Sequence, residues 1–384
     1  MRKIIYMKLL ILTQKIDRND DLLGFFHGWV AEFAKYYEKI TVIALGVGEY
    51  DLPGNVRVLS LGKEKNSISP HSCHSRESGN PGLGSLVKPG MTNRVFIKIR
   101  YIFNFYRYVW RERKNYDSVF VHMNQEYAIL GGLLWQCLRK KVTLWRNHQA
   151  GGFWVKIAMF FSNIVFCTSK FAFVAKYKKN RIMPVGIDTD FFISKAEINK
   201  VPKSVLFLSR ISPIKRLDLL IGALNLLKKE GVEFEAKIIG NAPIRDMAYL
   251  GENRQKVKDF GLESSIEFKE GVPNWQTPEI YNQNGIFVNL TNSGSLDKTT
   301  MEAMACGQLV LVSNRVFEDI FSDEQKKLLM FQEENIDDLA KKIKGLFGLD
   351  SREKEKIAIQ IREIIVSRHS LKLLADELFK ALSE

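Results

Sequence analysis

The residues best suited to chemistry lie in one stretch of the chain, from Thr291 to Val312. A polar loop there runs into a predicted helix that holds Glu302, and a short apolar strand follows. The start of a helix binds anions, because its first backbone N–H groups have no partner within the helix. A carboxylate in the same helix can accept hydrogen bonds from a diol. The segment therefore suggests a site for a diphosphate and a ribose.

Two cations stand where another helix is predicted to begin. Arg210 and Lys215 flank Ser212 and Pro213, which suit the N-cap and the first position of a helix, directly after a predicted strand. The two charges and the free N–H groups could together face a diphosphate. The alternative is that both cations are simply solvated on a loop.

Two further strand ends are weaker candidates. Gly240 ends a predicted strand, where a glycine lets a backbone pass close to a ligand or merely makes a turn. The loop from Phe268 to Pro273 contains Val272 and could offer main-chain groups to a base edge. Most such loops are connections only.

The elements that must position these residues alternate regularly between strand and helix. Apolar strands and amphipathic helices follow one another in both halves, with a break near Pro184 to Phe192. This alternation predicts parallel sheets with helices on both faces, and ligands in such folds bind beyond the carboxyl ends of the strands. We therefore predict an α/β fold with two doubly wound, Rossmann-like domains that face a cleft.

The same pattern predicts the domain boundaries. An N-terminal domain covers 1–192, a C-terminal domain covers 193–366, and a helix covers 367–384. Residues 66–93 have no helical or strand period and hold three of the ten prolines, so we predict a disordered insertion there.

The charge of the chain is uneven. The net charge is +14, and residues 1–200 carry 31 Lys+Arg against 15 Asp+Glu, whereas residues 201–384 carry 26 against 28. This excess indicates an anionic partner for the N-terminal domain. No apolar run reaches the roughly 18–20 residues of a membrane span, and no signal peptide is recognisable, so we expect a cytoplasmic protein.

One basic segment is also rich in aromatic residues. Val95 to Lys114 could form a helix that lies on an anionic membrane surface, peripheral to the inner face of the plasma membrane. A core-facing helix with a solvated basic side is an equal alternative. Nucleic-acid binding is the weaker alternative, because no recognised motif accompanies the segment.

Taken together, these segments resemble the retaining glycosyltransferases of family 4 (glycosyltransferase group 1), which have the GT-B fold. Arg210 to Lys215 resembles the family's GR-x-x-x-x-K signature, with Ser209 in place of its glycine. Gly294 to Gly307 resembles its E-x7-E loop and helix, and Arg181 to Phe192 resembles its hinge motif. The resemblance covers the C-terminal domain almost completely and the N-terminal domain more loosely. It implies that the N-terminal domain, 1–192, is the acceptor side, that the C-terminal domain, 193–366, binds the nucleotide sugar, and that the helix at 367–384 packs back on the first domain.

The resemblance implies roles for individual residues. Arg210 and Lys215 would bind the donor diphosphate, Glu302 the ribose hydroxyls, and Val272 the base. Gly240 would line the same donor site. The loop and the start of the following helix would face the phosphates or the sugar; its residues are Ser295, Leu296, Asp297, Lys298 and Thr299. A histidine over the donor sugar corresponds to His148, with His122 as a second, weaker candidate.

The chain departs from the family pattern most clearly at Gly294. The first Glu of E-x7-E corresponds to Gly294, and in the family that Glu touches the donor sugar. Asp297 lies in the same loop and could supply the missing carboxylate. The nucleotide is therefore a firmer expectation than the sugar.

The resemblance implies an enzyme that transfers a sugar from a nucleotide-sugar donor to a glycan or lipid-linked acceptor. We expect neither a metal nor another cofactor, because Arg210, Lys215 and the helix start can stabilise the leaving diphosphate. Two alternatives stay open: a non-catalytic protein that binds nucleotide sugars, and a basic interaction module for membranes or nucleic acid.

Overall fold

The structure is a computed structural model of the chain, and it describes residues 7–64, 91–195, 197–294 and 296–384, without the side chains of 91–94. Two parallel sheets form in these ranges. The strands of the first sheet are β1 (Lys8–Ile16), β2 (Lys39–Val47), β3 (Val56–Ser60), β4 (Ser118–His122), β5 (Lys141–Trp145), β6 (Ile164–Cys167) and β7 (Asn180–Ile182). The strands of the second sheet are β8 (Ser204–Leu208), β9 (Glu235–Ile239), β10 (Ile266–Lys269), β11 (Ile286–Asn289) and β12 (Leu309–Val312).

The helices connect these strands. Those of the N-terminal domain are α1 (Gly24–Phe33), α2 (Met91–Arg111), α3 (Gln125–Cys137) and α4 (Phe153–Phe160). Those that follow are α5 (Leu217–Lys229), α6 (Met247–Asp259), α7 (Thr277–Gln283), α8 (Lys298–Ala305), α9 (Asp323–Leu329), α10 (Ile336–Gly348), α11 (Ser351–Arg368) and α12 (Leu371–Ser383). None of the helices in the described ranges is long and apolar enough to cross a membrane.

The strand order confirms the predicted fold class. The first sheet has the order β3-β2-β1-β4-β5-β6-β7 and the second has β10-β9-β8-β11-β12, and all of the pairings are parallel. Strands such as β4 and β12 are buried along their whole length, because helices cover both faces of each sheet. The strand order reverses between β1 and β4 and again between β8 and β11, and such switch points are where ligands bind in these folds.

Helices cover the N-terminal sheet on two faces. Helix α1 packs on one face together with the C-terminal helix α12, which contributes buried residues such as Leu374 and Leu378 to that core. Helices α2, α3 and α4 pack on the other face. The predicted insertion at 66–93 ends too late in the sequence, because Met91 to Asn93 belong to α2. The rest of 66–93 lies outside the described residues.

The chain crosses between the domains twice, and the two crossings lie side by side. Gly186 and Ile187 donate backbone hydrogen bonds to the carbonyl oxygen of His369, and Leu371 donates one back to Ile187. Gly186 has φ +74°, and a Cβ there would lie 2.4 Å from the side chain of Leu374. Glycine is therefore required by both the backbone conformation and the packing.

A histidine lies in the aromatic core below the cleft. His122, at the end of β4, stacks on Phe26 with ring centroids 3.9 Å apart, and its Nδ1 lies 3.2 Å from the hydroxyl of Thr13. Its Nε2 is buried without a hydrogen-bond partner among the described residues. Burial, and secondarily the charge of Lys298, lowers the pKa of His122 to about 3. The ring is therefore neutral at physiological pH.

We expect His122 to make the protein acid-sensitive. The unfolded chain binds a proton at this histidine below about pH 6.5, whereas the folded chain does so only near pH 3, so stability is lost as the pH falls between these values. Replacing His122 by Gln should reduce the stability lost between pH 7 and pH 5 by about 2 kcal/mol, measured by urea unfolding. The exposed His148→Gln variant is the control, and an equal pH dependence in wild type and His122→Gln would contradict the assignment.

Candidate functional site

A cavity of about 360 Å³ lies between the domains, at the carboxyl ends of β8 and β9 and the start of α8. It brings together eight of the residues predicted from the sequence. These are Arg210, Lys215, Gly240, Val272, Asp297, Lys298, Thr299 and Glu302. The convergence follows from the topology, because loops after parallel strands meet at one edge of a sheet.

The loop after β8 positions the two predicted cations. Pro213 to Lys215 form a single turn of 3₁₀-helix, and Arg216 then adopts φ +50° before α5 begins. The predicted side-chain cap at Ser212 is wrong, since its buried hydroxyl makes no hydrogen bond in the described part of the chain. The Nε of Arg210 is also buried without a partner there. Arg210 lines the cavity, so a ligand bound there would be the candidate acceptor for this donor.

Lys215 is held against the start of α8. Its ammonium group forms an ion pair with Asp297 and donates a hydrogen bond of 3.1 Å to the hydroxyl of Thr291. Asp297 is the N-cap of α8 and accepts from the amide and the hydroxyl of Thr299, at 3.2 and 2.7 Å. Burial would raise the pKa of Asp297, but the charge and hydrogen bond of Lys215 outweigh this and hold it at about 2. The carboxylate is therefore ionised throughout the physiological range.

Glu302 lies one turn further along α8 and is buried. Its carboxylate accepts hydrogen bonds from the side-chain amide of Asn274, at 3.0 Å, and from the hydroxyl of Tyr281, at 3.3 Å. Burial raises the pKa of Glu302, and the nearby charge of Lys298 opposes the rise. A buried carboxylate of this kind suits a ligand whose hydroxyl groups donate hydrogen bonds to it and shield it from water.

Lys298 joins the two domains at the cavity wall. Its ammonium group lies over the rings of Phe25 and Trp29, 4.2 and 4.7 Å from their centroids. It also donates hydrogen bonds of 3.2 Å to the carbonyl oxygens of Val185 and Gly186 in the first crossing. Burial lowers the pKa of Lys298, and Glu302 opposes this shift. The side chain thus contacts the N-terminal domain, the crossing and the donor cavity together.

Glycines shape the floor of the cavity. A Cβ at Gly240 would lie 1.9 Å from the carbonyl oxygen of Ser209, so only glycine fits between β8 and β9. The side-chain oxygen of Asn241 accepts from the amide of Gly271, at 3.0 Å, which fixes the next loop. Val272 follows that loop and lines the cavity.

The position of the missing family carboxylate is covered by the N-terminal domain. A Cβ at Gly294 would lie 2.9 Å from the side-chain amide of Gln149, whose nitrogen donates to the carbonyl oxygen of Ser293 at 2.6 Å. The carbonyl oxygen of Gly294 accepts from Ser169 at 2.9 Å. Leu296 is buried and does not line the cavity. Ser295 lies outside the described residues.

The two histidine candidates lie elsewhere. His148 is exposed, its Nδ1 accepts from the amide of Ala150 at 2.9 Å, and it is not among the residues that line the donor cavity. His122 lines a different cavity of about 720 Å³, at the carboxyl ends of the N-terminal strands. The structure therefore brings neither histidine into the wall of the cavity that holds Arg210 and Lys215.

The cavity wall also contains residues that were not predicted from the sequence. Asp21 and Phe25 come from the segment after β1, and Asn241 and Asn274 come from loops of the C-terminal domain. Asn241 donates to the carboxylate of Asp21 at 3.3 Å, so these residues also join the domains. Their positions after β1, β9 and β10 could have identified them as site candidates, because the carboxyl ends of strands at a switch point line the ligand crevice. Within the described ranges no group of three His, Cys, Asp or Glu side chains could hold a metal ion.

Comparison with known proteins identifies the C-terminal domain. Residues 188–363 match the family model described as glycosyl transferases group 1. Mannosylfructose-phosphate synthase from Agrobacterium fabrum is 29% identical over 140 residues, 36% of this chain and 31% of that protein. The GDP-mannose-dependent alpha-(1-6)-phosphatidylinositol monomannoside mannosyltransferase from Mycolicibacterium smegmatis is 26% identical over 163 residues, 35% of this chain and 41% of that protein. The chain thus aligns with less than half the length of these curated relatives.

Solved structures match over nearly the whole chain. Anabaena Alr3699/HepE in complex with UDP superposes with a TM-score of 0.72 at 16% identity, covering 98% of this chain and all of that one. At this identity the likeness shows the fold, and it confirms the predicted GT-B architecture of two parallel α/β domains. Residues 188–363, most of the C-terminal domain, thus match the glycosyl transferases group 1, and both domains of the chain have the GT-B architecture.

Proposed function

We propose that this protein is a retaining glycosyltransferase of family 4 that moves a hexosyl group from a nucleoside-diphosphate sugar to a glycan or lipid-linked acceptor. Its role would be in the synthesis of a cell-surface polysaccharide or glycolipid. The observation that carries the proposal is the shared cavity wall of Arg210, Lys215 and Glu302. Two cations for a diphosphate and a buried carboxylate for a diol are the groups that a nucleoside diphosphate requires.

The names of the relatives support the choice of substrate class. One curated relative is named as GDP-mannose-dependent and as acting on a phosphatidylinositol monomannoside, and one structural neighbour was solved with UDP-glucose. A lipid-linked acceptor and a nucleoside-diphosphate hexose donor are therefore the first substrates to test. The positive charge of the N-terminal half further supports a place at the inner face of the plasma membrane.

The proposed reaction needs no group beyond the two substrates and the protein. The acceptor hydroxyl oxygen forms a bond to the anomeric carbon while the bond from that carbon to the β-phosphate oxygen breaks on the same face. The hydroxyl proton passes to the departing phosphate oxygen. Arg210, Lys215 and the start of α8 stabilise the charge that develops on the diphosphate, so neither a metal nor another cofactor is required.

The space around Gly294 favours a second candidate, a protein that binds nucleotide sugars without transferring them. Gln149 fills the place where the family has a carboxylate on the donor sugar. Asp297 is the proposed replacement, but in the closed cleft its carboxylate is held by Lys215 and Thr299. Asp297 would then influence the sugar partly by positioning Lys215.

A nucleotide-sugar panel separates the candidates. We expect release of nucleoside diphosphate from one donor, with GDP-mannose and UDP-glucose included in the panel, and only when a polyprenyl-linked or glycan acceptor is present. The product should retain the anomeric configuration of the donor, as read by NMR. Donor binding without release would favour the non-catalytic protein, and salt-dependent nucleic-acid binding without turnover would favour the basic interaction module.

Replacing Arg210 by Gln should weaken nucleoside-diphosphate binding by about 10- to 100-fold, because a hydrogen bond to a charged group contributes about 1.5–3 kcal/mol. Isothermal titration calorimetry measures the change. The matched control is Arg216→Gln in the same loop, since Arg216 pairs with Glu334 and Asp218 and does not line the cavity. Equal nucleoside-diphosphate affinities for Arg210→Gln and Arg216→Gln would show that Arg210 does not bind the nucleotide.

Replacing Asp297 by Asn should lower kcat by about tenfold or more while the nucleotide affinity stays within about threefold. Asn keeps the helix cap but removes the charge that holds Lys215. Asp350→Asn is the matched control, because Asp350 caps α11 through the same kind of bond. Wild-type turnover in Asp297→Asn would show that its carboxylate has no part in transfer.

A further inference from the structure

Helix α2 has two opposite faces, and both are apolar. Phe105 and Val109 are buried in the core of the N-terminal domain. On the other side an exposed row recurs every three or four residues, with side chains between 41% and 67% exposed; its members are Phe96, Ile99, Phe103, Tyr106 and Trp110. Residues at this spacing lie on one side of a helix. We call this row the α2 face.

Exposed apolar side chains continue on the two helices that cover the same face of the sheet. The hydroxyl of Tyr106 donates to the carbonyl oxygen of Leu130 at 2.8 Å, which joins α2 to α3. Leu133 on α3 and Phe160 on α4 are each 68% exposed. Large apolar side chains that share one side of a domain indicate a docking surface rather than scattered exposure.

The α2 face is bordered by cations. Arg107 and Arg111 lie along one edge of the row, and Lys98 is a further cation near the start of the helix; all three are exposed. The helix from Met91 to Arg111 contains no acidic residue. An apolar row with a basic edge and no acidic residue is the pattern of a helix that lies in the plane of an anionic membrane surface.

We propose that the α2 face docks on an anionic lipid bilayer, with α2 parallel to the membrane plane. Charge complementarity selects this occupant over a second copy of the chain, because two α2 faces would bring their basic edges together, whereas anionic headgroups pair with them. The aromatic side chains enter the boundary between headgroups and acyl chains, and Lys98, Arg107 and Arg111 contact the phosphates.

The position of α2 also relates the membrane to the cleft, a step that rests on the proposed function. The side chains of Asn104 and Arg100 donate to the carbonyl oxygens of Leu61 and Gly62, at 3.0 and 3.4 Å. The next two residues, Lys63 and Glu64, line the 720 Å³ cavity at the carboxyl ends of β1 and β2. A lipid-linked acceptor in the same bilayer would therefore reach the cleft at this edge of the domain.

Vesicle flotation of the full chain tests the docking surface. We expect binding to vesicles of equal parts phosphatidylglycerol and phosphatidylcholine, and little binding to phosphatidylcholine alone. Phe96→Ser with Phe103→Ser should lower the partition coefficient by about tenfold or more. The control pair is Ile359→Ser with Val366→Ser, exposed apolar residues on α11, and it should bind like wild type.

A second pair of variants tests the cations of α2. Lys98→Gln with Arg107→Gln should lower binding to the anionic vesicles by on the order of tenfold. Lys341→Gln with Lys356→Gln removes two exposed lysines of the C-terminal domain and should have no effect. Equal binding to both vesicle types, or a dimer in sedimentation that the Phe96/Phe103 variant abolishes, would overturn the proposal.

Nucleotide release with a soluble glycan acceptor separates this proposal from the proposed function. The α2 variants should keep wild-type rates with the soluble acceptor and lose rate only with a lipid-linked acceptor in anionic vesicles. Turnover by a wild-type protein that does not float would leave the transferase intact and remove the docking surface. Flotation of a protein that shows no turnover with either acceptor would support the docking surface and contradict the transferase activity.

Discussion

The ammonium group of Lys298 is the buried contact that joins the two domains and the first crossing at one point. It lies over Phe25 and Trp29 of the N-terminal domain and donates to the carbonyl oxygens of Val185 and Gly186 in the first crossing. A buried cation needs such partners, because leaving water costs several kcal/mol that must be regained from rings, carbonyls or an anion. Glu302, on the same helix, is the nearby anion that opposes the shift of its pKa. The interface between the domains thus contains buried electrostatic contacts as well as apolar ones.

Much of the fold could be predicted from the sequence, because strands buried on both faces read as continuous apolar runs. Helix α5, from Leu217 to Lys229, has a strong apolar period that indicates a helix in the sequence alone. Local details of the backbone could not be predicted as well from the sequence. Ser212 has the residue type of a cap, yet the chain first makes a 3₁₀ turn and then places Arg216 at positive φ, which tertiary packing decides and composition does not reveal.

The candidate site could be predicted where one domain supplies it. Arg210, Lys215 and Glu302 meet because they follow strands of one sheet. Asp21 and Phe25 could not be identified in the same way, because their role depends on how the second domain lies against the first. The same limit applies to Gly294: the sequence reveals a missing carboxylate, and only the structure reveals that Gln149 from the other domain fills its place.

The side-by-side crossings limit how the domains can move. The two chain segments that link the domains are joined by hydrogen bonds at Gly186, Ile187 and His369, so a rotation of one domain against the other would turn about the line through them. Atoms near such an axis are displaced least. Lys298, bonded to the carbonyl oxygen of Gly186, would therefore move little in that rotation, whereas a contact with no bond to either crossing, such as that of Gln149 with Ser293, would separate. Opening of the cleft would thus leave the buried lysine in place while the outer contacts between the domains are lost.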